Sequence, residues 1–454
     1  MGIPSYFSYL LRHHKTIVKR FSSLASKVDN LYLDSNSIVY DAVRTLPYPS
    51  VDFDARLIEA VCAKIQFNID MVKPIRVFIA FDGVPPMAKM KQQRERRYKS
   101  LMHAEPGPKG WNTVQITPGT KFMHALDTAL RTHFASRPNV KLSTSEEPGE
   151  GEHKIFEHMR NVNHADQTTV VYGLDSDLII LALNHLEYGR IELLREAPAF
   201  QKTKDNGLHV LDVALLATEI QTKLGQTKLQ DYIFLTLFLG NDFMPHFPAL
   251  NLRTTGFDTL LQTYRNTISP TEHLFVRNVV CWPVVYKFIA ALAKRESTDF
   301  VREYKWRERM VEDTPVNMPM VHREMEHYIN PTESHWEARY YSLLFQSERQ
   351  PVARQSSEAY LQMLEWNMQY YTTGCPSWSL YYPYMYPPLL VDLTKYKFKE
   401  FNRDESPLSA TQLLEFVLPS AYAELALIPY KPTERKPECF WAFCTFLWES
   451  HLLF

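Results

Sequence analysis

Cysteine is scarce: there are five in 454 residues, Cys62, Cys281, Cys375, Cys439 and Cys444, odd in number and without a CxxC pair. Such spacing argues against a zinc ribbon or a disulfide framework and fits a reducing compartment. Excess charge is missing too. Fifty basic residues oppose fifty-one acidic ones, a net charge of -1, so no overall field draws in nucleic acid and any basic surface must be local. Nor does any apolar run approach the roughly 20 residues that a membrane helix needs; the best candidate, 232–239, reads as a core segment. The first residues lack the apolar stretch of a signal peptide, and Tyr6 stands where N-myristoylation requires Ser or Thr. An intracellular protein without a membrane partner is expected.

What is present is a chain of 45% hydrophobic and 13% aromatic residues, which supports two or three domains with buried cores. Short apolar runs at 30–33, 76–81, 170–173 and 190–194 alternate with helical patterns near 53–70, 120–135, 151–161 and 229–239. Strands alternating with helices predict an α/β layer with a mostly parallel sheet flanked by helices. In such sheets ligands collect at the carboxyl ends of the strands, and Asp34, Asp82 and Asp175 fall there.

The segment 146–181 adds two acid-x-acid pairs, Glu150 with Glu152 and Asp175 with Asp177, each bordered by Gly or apolar residues. A seventh acid, Asp242, follows the 229–239 helix in Gly-Asn-Asp-Phe-Met-Pro. One acid after one strand is more often a cap or turn residue. Repetition at several strand ends instead predicts carboxylates clustered where water is scarce, which repel unless a hard cation such as Mg²⁺ or Mn²⁺ joins them. Five or more carboxylates would suit two ions about 3.5–4 Å apart, an arrangement for phosphodiester hydrolysis.

After Asp82 the sequence PPMAKMKQQRERRYK predicts a helix opening near Pro86. Lys89, Gln93, Arg96 and Arg97, spaced i, i+4, i+7 and i+8, share one of its faces. Charge alone favours a solvated basic helix. Its place after an acid-tipped strand favours a pocket for a terminal phosphate, with arginine forks making bidentate contacts.

These segments resemble the Xrn-type 5′→3′ exoribonucleases: MGIPSYFSYL, NLYLDSNSIVY, AFDGVPPMAKMKQQRERRYK, ITPGTKFM, EEPGEGEHKI, YGLDSDLIIL and FLGNDFMPHFP follow the family's order over residues 1 to about 260. The resemblance implies a PIN-like 5′-nuclease core with an appended, mainly helical, aromatic-rich second conserved region. It divides the chain into a nuclease core at 1–265, a divergent helical connection at 266–345 and the second region at 346–454. It also implies a monomeric enzyme that removes nucleotides one at a time from single-stranded RNA with a 5′ monophosphate, with two Mg²⁺ or Mn²⁺ ions. By position the metal ligands and catalytic acids map to Asp34, Asp82, Glu150, Glu152, Asp175, Asp177 and Asp242, and the 5′-phosphate pocket to Lys89, Gln93, Arg96 and Arg97.

Base stacking is assigned to Tyr40, where the family usually has His, and to Trp378, whose usual second Trp is here Leu380. The belt at 364–390, rich in Tyr, Trp and Pro, is on composition alone a core; a stacking platform is the other reading. A compact member, lacking the large C-terminal modules of cytoplasmic members, is expected. Cytoplasm is expected over nucleus, with a viral factory or virion also open. The rival readings are a flap-type DNA 5′ nuclease, which would share the acids, and a silent RNA-binding scaffold, which would tolerate their loss.

Overall fold

The computed structural model describes residues 2–23, 27–102, 110–162, 164–196, 208–225, 228–309, 323–404 and 406–431, and the backbone of 438–440 and 451–453. The chain forms two compact units. One comprises His14–Ala217 with Glu405–Glu434; the other joins Met1–His13, Thr218–Asp404 and Arg435–Phe454. Among the described residues no helix is long and apolar enough to cross a membrane.

Among the described residues the first unit is built on seven strands: β1 (Val18–Arg20), β2 (Asn30–Asp34), β3 (Arg76–Ala80), β4 (Val140–Ser143), β5 (Thr168–Tyr172), β6 (Arg190–Glu196) and β7 (Leu208–Asp212), in the order β1-β7-β6-β5-β2-β3-β4. The five from β4 to β6 run parallel, while β7 pairs antiparallel with both β6 and β1. β5 is buried throughout and β2 along all but its last residue, which is why both read as continuous apolar runs without alternation. One face packs Leu31, Leu33, Val77, Ile79, Val170 and Tyr172 against Ile38 and Val39, the helix Phe53–Val72 and the helix Lys121–Phe134.

Sheet order fixes the site. From β2 the chain moves outward to β3 and β4, then returns to the other side of β2 with β5 and β6. The direction reverses between β2 and β5, where the connections that cover the strand ends part and leave a crevice. Leu33 stands opposite Tyr172 and Asp34 opposite Ala80, so the register brings the acids after β2, β3 and β5 to one edge.

The C-terminal part of this unit packs on the helix Met87–Met102. Leu413, Leu414 and Val417, on the helix Ala410–Val417, are buried with Val84, Met90 and Val114. Ser409 and Gln412 form a reciprocal capping box that starts the C-terminal helix.

The second unit is mainly helical. Its core sets Phe300, Trp336, Tyr340, Tyr341 and Tyr386 together, and a buried salt-bridge triad places the Arg307 and Arg323 guanidiniums on Glu326. The aromatic belt goes mostly into this interior: Trp366, Tyr370, Tyr371, Tyr382 and Tyr386 are buried, whereas Tyr381 is exposed. Between 266 and 345 lie the helices Trp282–Ala293, Glu296–Glu308, Glu324–Ile329 and Trp336–Leu344; residues 310–322 lie outside the described ones.

Candidate metal centre and phosphate-binding helix

Asp34 ends β2, Asp82 lies two residues beyond β3, and Asp175 lies three beyond β5. Glu150 occupies the N-cap of the helix Gly151–Asn161, Glu152 lies in its first turn, and Asp177 begins the helix Asp177–Asn184. Capping explains only part of this set. Asp82 Oδ1 accepts from the Gly151 amide at 2.7 Å, its Oδ2 accepts from Asn36 Nδ2 at 2.7 Å, and Asp175 Oδ1 accepts from the Asp177 amide at 3.2 Å. Glu150, by contrast, makes no side-chain capping bond to the helix that it precedes.

The acids share one electrostatic environment. Burial, then Asp82, then Asp175 raise the Asp34 carboxyl well above the usual range. Burial raises Glu152 as well, with Asp175, Glu150 and Asp177 adding to it and Lys89 opposing. Among the described residues, Glu150, Glu152 and His153 offer ligand atoms that all lie within 4.8 Å of one another. Glu152 Oε1 is buried without a hydrogen-bond partner. A lone buried acceptor among carboxylates is costly until a cation or proton meets it, so this donor set, oxygen-rich with one nitrogen, fits a divalent ion.

Glycine permits the crowding. A Cβ on Gly151 would stand 2.9 Å from Asp34 Oδ1 and 3.4 Å from Asp82 Oδ1, and one on Gly83 would collide with the Glu147 carbonyl. The Asp82 and Glu150 loops are laced together by Gly83 N–H to Gly149 O and Gly149 N–H to Val84 O, both 2.8 Å. Asp242 follows the helix Leu229–Thr236 and a short 3₁₀ turn, Leu237–Leu239, in the second unit; the other six acids belong to the unit of the sheet.

The helix Met87–Met102 carries the four donors in unequal states. Lys89 Nζ lies 2.6 Å from Glu150 Oε2 in a buried ion pair. Arg97 donates to Thr117 Oγ1 from Nη2 at 2.7 Å and Nε at 3.3 Å, and burial lowers its pKa to about 10, Tyr40 opposing that shift. Gln93 Oε1 is buried without a hydrogen-bond partner, and Arg96 is exposed. Tyr40 is half-buried at the edge of the sheet core; Trp378, in the second unit, is half-buried, and its amide donates to Asp404 O.

Sequence reasoning missed two neighbours of the acids. His153 lies three residues past Glu150, a spacing that puts both on one helix face, and that spacing was the available signal. Lys154, nearly buried, donates from Nζ to the carbonyls of Phe81 and Thr144, each at 2.8 Å, and burial lowers its pKa to about 8. No pattern along the chain announces those two bonds.

Comparison with known proteins adds to this geometry. Residues 1–197 match the family profile described as "XRN 5'-3' exonuclease N-terminus", and 225–334 and 321–431 match "Xrn1 helical domain". The chain is 26% identical to 5'-3' exoribonuclease 1 of Saccharomyces cerevisiae over 95% of its length, and 26% identical to that of Homo sapiens over 94%. It spans 40% and 31% of those relatives' own lengths. Among solved structures, the catalytic core of Rad2 in complex with DNA substrate aligns with a TM-score of 0.39 and 12% identity, covering 92% of this chain and 95% of that one.

Proposed function

Because the chain belongs to the Xrn-type 5′→3′ exoribonuclease family, we propose that it hydrolyses single-stranded RNA processively from a 5′ monophosphate, releasing mononucleotides. The observation that carries this reading is the meeting of an acid cluster and a basic helix: Lys89 touches Glu150 at 2.6 Å, while Arg97 lies on the same helix within electrostatic reach of Asp82. Membership alone would leave a silent scaffold possible; a scaffold has no use for buried acids that repel.

In the proposed mechanism Gln93, Arg96 and Arg97 hold the terminal phosphate, and Lys89 shares its ammonium between that phosphate and Glu150. A triphosphate or cap overfills such a recess, and a 5′ hydroxyl leaves its cations without a partner. Tyr40 and Trp378 hold the leading bases by stacking. Asp34, Asp82, Glu150, Glu152, Asp175, Asp177 and Asp242 would hold Mg²⁺ or Mn²⁺, two ions in this reading. Bound there, such ions lower the pKa of water and neutralise charge on the phosphate under attack. The chain's own part is to keep the acids close and desolvated, and to fix the terminus so that the first internucleotide phosphate falls beside them. The chain is proposed to act as a monomer and inside the cell; for the compartment the support is that Cys62, Cys281 and Cys375 are free thiols, which reducing conditions preserve.

A time course with Mg²⁺ or Mn²⁺ on RNA labelled at the 5′ end or throughout tests this, with 5′-monophosphate, triphosphate and hydroxyl substrates and a DNA flap in parallel. Mononucleotides should appear from the monophosphate RNA, and chelation should stop them. Equal turnover of all three RNA termini would reject the phosphate pocket, and preference for the flap would reject the RNA reading.

A further inference from the structure

Lys154 sits on the first turns of the helix Gly151–Asn161 and is 6% exposed. Its ammonium donates at 2.8 Å to the carbonyl of Phe81, the residue before Asp82, and at 2.8 Å to that of Thr144, the residue after β4. Its own amide donates to Glu150 O at 3.0 Å. One side chain therefore joins three segments: the end of β3 with Asp82, the end of β4 whose loop leads to Glu150, and the helix that carries Glu152. The fit is chemical as well as spatial. An ammonium can aim donors from one point at two carbonyls, which a planar guanidinium fork cannot reproduce in the same space. Burying it costs solvation that a methionine of similar volume would not, so the two bonds are what the lysine adds.

We propose that Lys154 is a positioning residue of the metal centre, setting the separation of Asp82 from Glu150 and Glu152. This rests on the reading that those acids hold a divalent ion. Lys154 touches the backbone that delivers the acids. A simple counter-charge would behave differently. Removing a positive charge beside an acid cluster strengthens cation binding; removing a spacer lets the carboxylates drift and weakens it.

The opposite signs make the test. Mn²⁺ is titrated into the full chain, wild type, Lys154→Met and Lys154→Arg, with free Mn²⁺ read by electron paramagnetic resonance below the melting temperature of each. Both variants should bind Mn²⁺ about tenfold or more weakly, the loss typical when a partner supporting the ligands is removed. The methionine variant should do so despite its lost charge. Lys154→Gln replaces it if it fails to fold. Wild type that binds Mn²⁺, with variants that bind equally or more tightly, overturns the positioning role alone. Wild type that binds no Mn²⁺ overturns the metal reading, and this inference with it.

Discussion

At Asp34 the physics of the site condenses into one carboxyl group. Burial and the neighbouring Asp82 and Asp175 disfavour its charge, so the ionised acid is tolerated only beside a cation. Asp34→Asn should therefore lower RNA turnover by a hundredfold or more, on the order of the several kcal/mol that a bound metal contributes. Its chelator-treated form should melt at the same temperature as wild type or higher, because a repelled charge is gone. Thermal melts with EDTA beside activity assays check both halves, and a lower melt would make Asp34 a structural acid.

His185 gives a second prediction. Its Nδ1 lies 2.7 Å from Leu181 O and its Nε2 2.9 Å from Arg160 Nη1, so the first ring nitrogen donates, the second accepts, and the ring is neutral. Burial lowers its pKa to about 4. The unfolded chain takes this proton near pH 6.5 and the folded chain does not, so stability is full above that value. It falls as pH drops from 6.5 towards 4, by up to about 1.4 kcal/mol per pH unit. Burial also lowers His158 to about 4, which adds in the same direction. Urea unfolding between pH 7.5 and 5 measures the slope, and His185→Asn should reduce it.

Among elements, the helix Met87–Met102 shows how much a neighbour from far along the chain contributes. Its mean composition is strongly polar, yet Ala88, Lys89, Met90 and Tyr98 are buried, and the Arg94 guanidinium lies 4.2 Å from the Phe416 ring centre. Leu413, fully buried against this helix, is a packing residue without polar reach. Leu413→Ala should cost about 2–4 kcal/mol of stability. If the helix holds the 5′ phosphate, KM for monophosphate RNA should rise more than kcat falls. Denaturant melts and steady-state kinetics separate the two effects, and a loss confined to kcat would detach the brace from end recognition.

For the whole molecule, the metal reading makes stability depend on the ion. Mg²⁺ at a hundred times its dissociation constant should stabilise wild type by about 2.7 kcal/mol, and Asp34→Asn should lose most of that gain. Denaturant titrations with Mg²⁺ or EDTA measure it. Asp242 belongs to the other compact unit, and its place in the proposed ligand set rests on sequence order. Asp242→Asn should weaken Mn²⁺ binding, and an unchanged isotherm would remove it from the set.

The strands at 30–33, 76–81, 170–173 and 190–194 were readable because strands buried in a parallel sheet are continuous apolar runs, and the acids because each closes an apolar segment or opens a helix. The face shared by Lys89, Gln93, Arg96 and Arg97 followed from helical periodicity. Partners distant in sequence were not readable. Nothing local pairs Lys89 with Glu150, seats Arg97 on Thr117, sends Tyr382 inward while Tyr381 stays exposed, or ties Lys154 to the carbonyls of Phe81 and Thr144. Periodicity is a property of one segment, and the sequence by itself determined β2, β3, β5 and β6 and the acids beside them, but not the peripheral strands β1, β4 and β7. Which charges and backbone groups meet depends on strand order and register, and these exist only once the chain has folded.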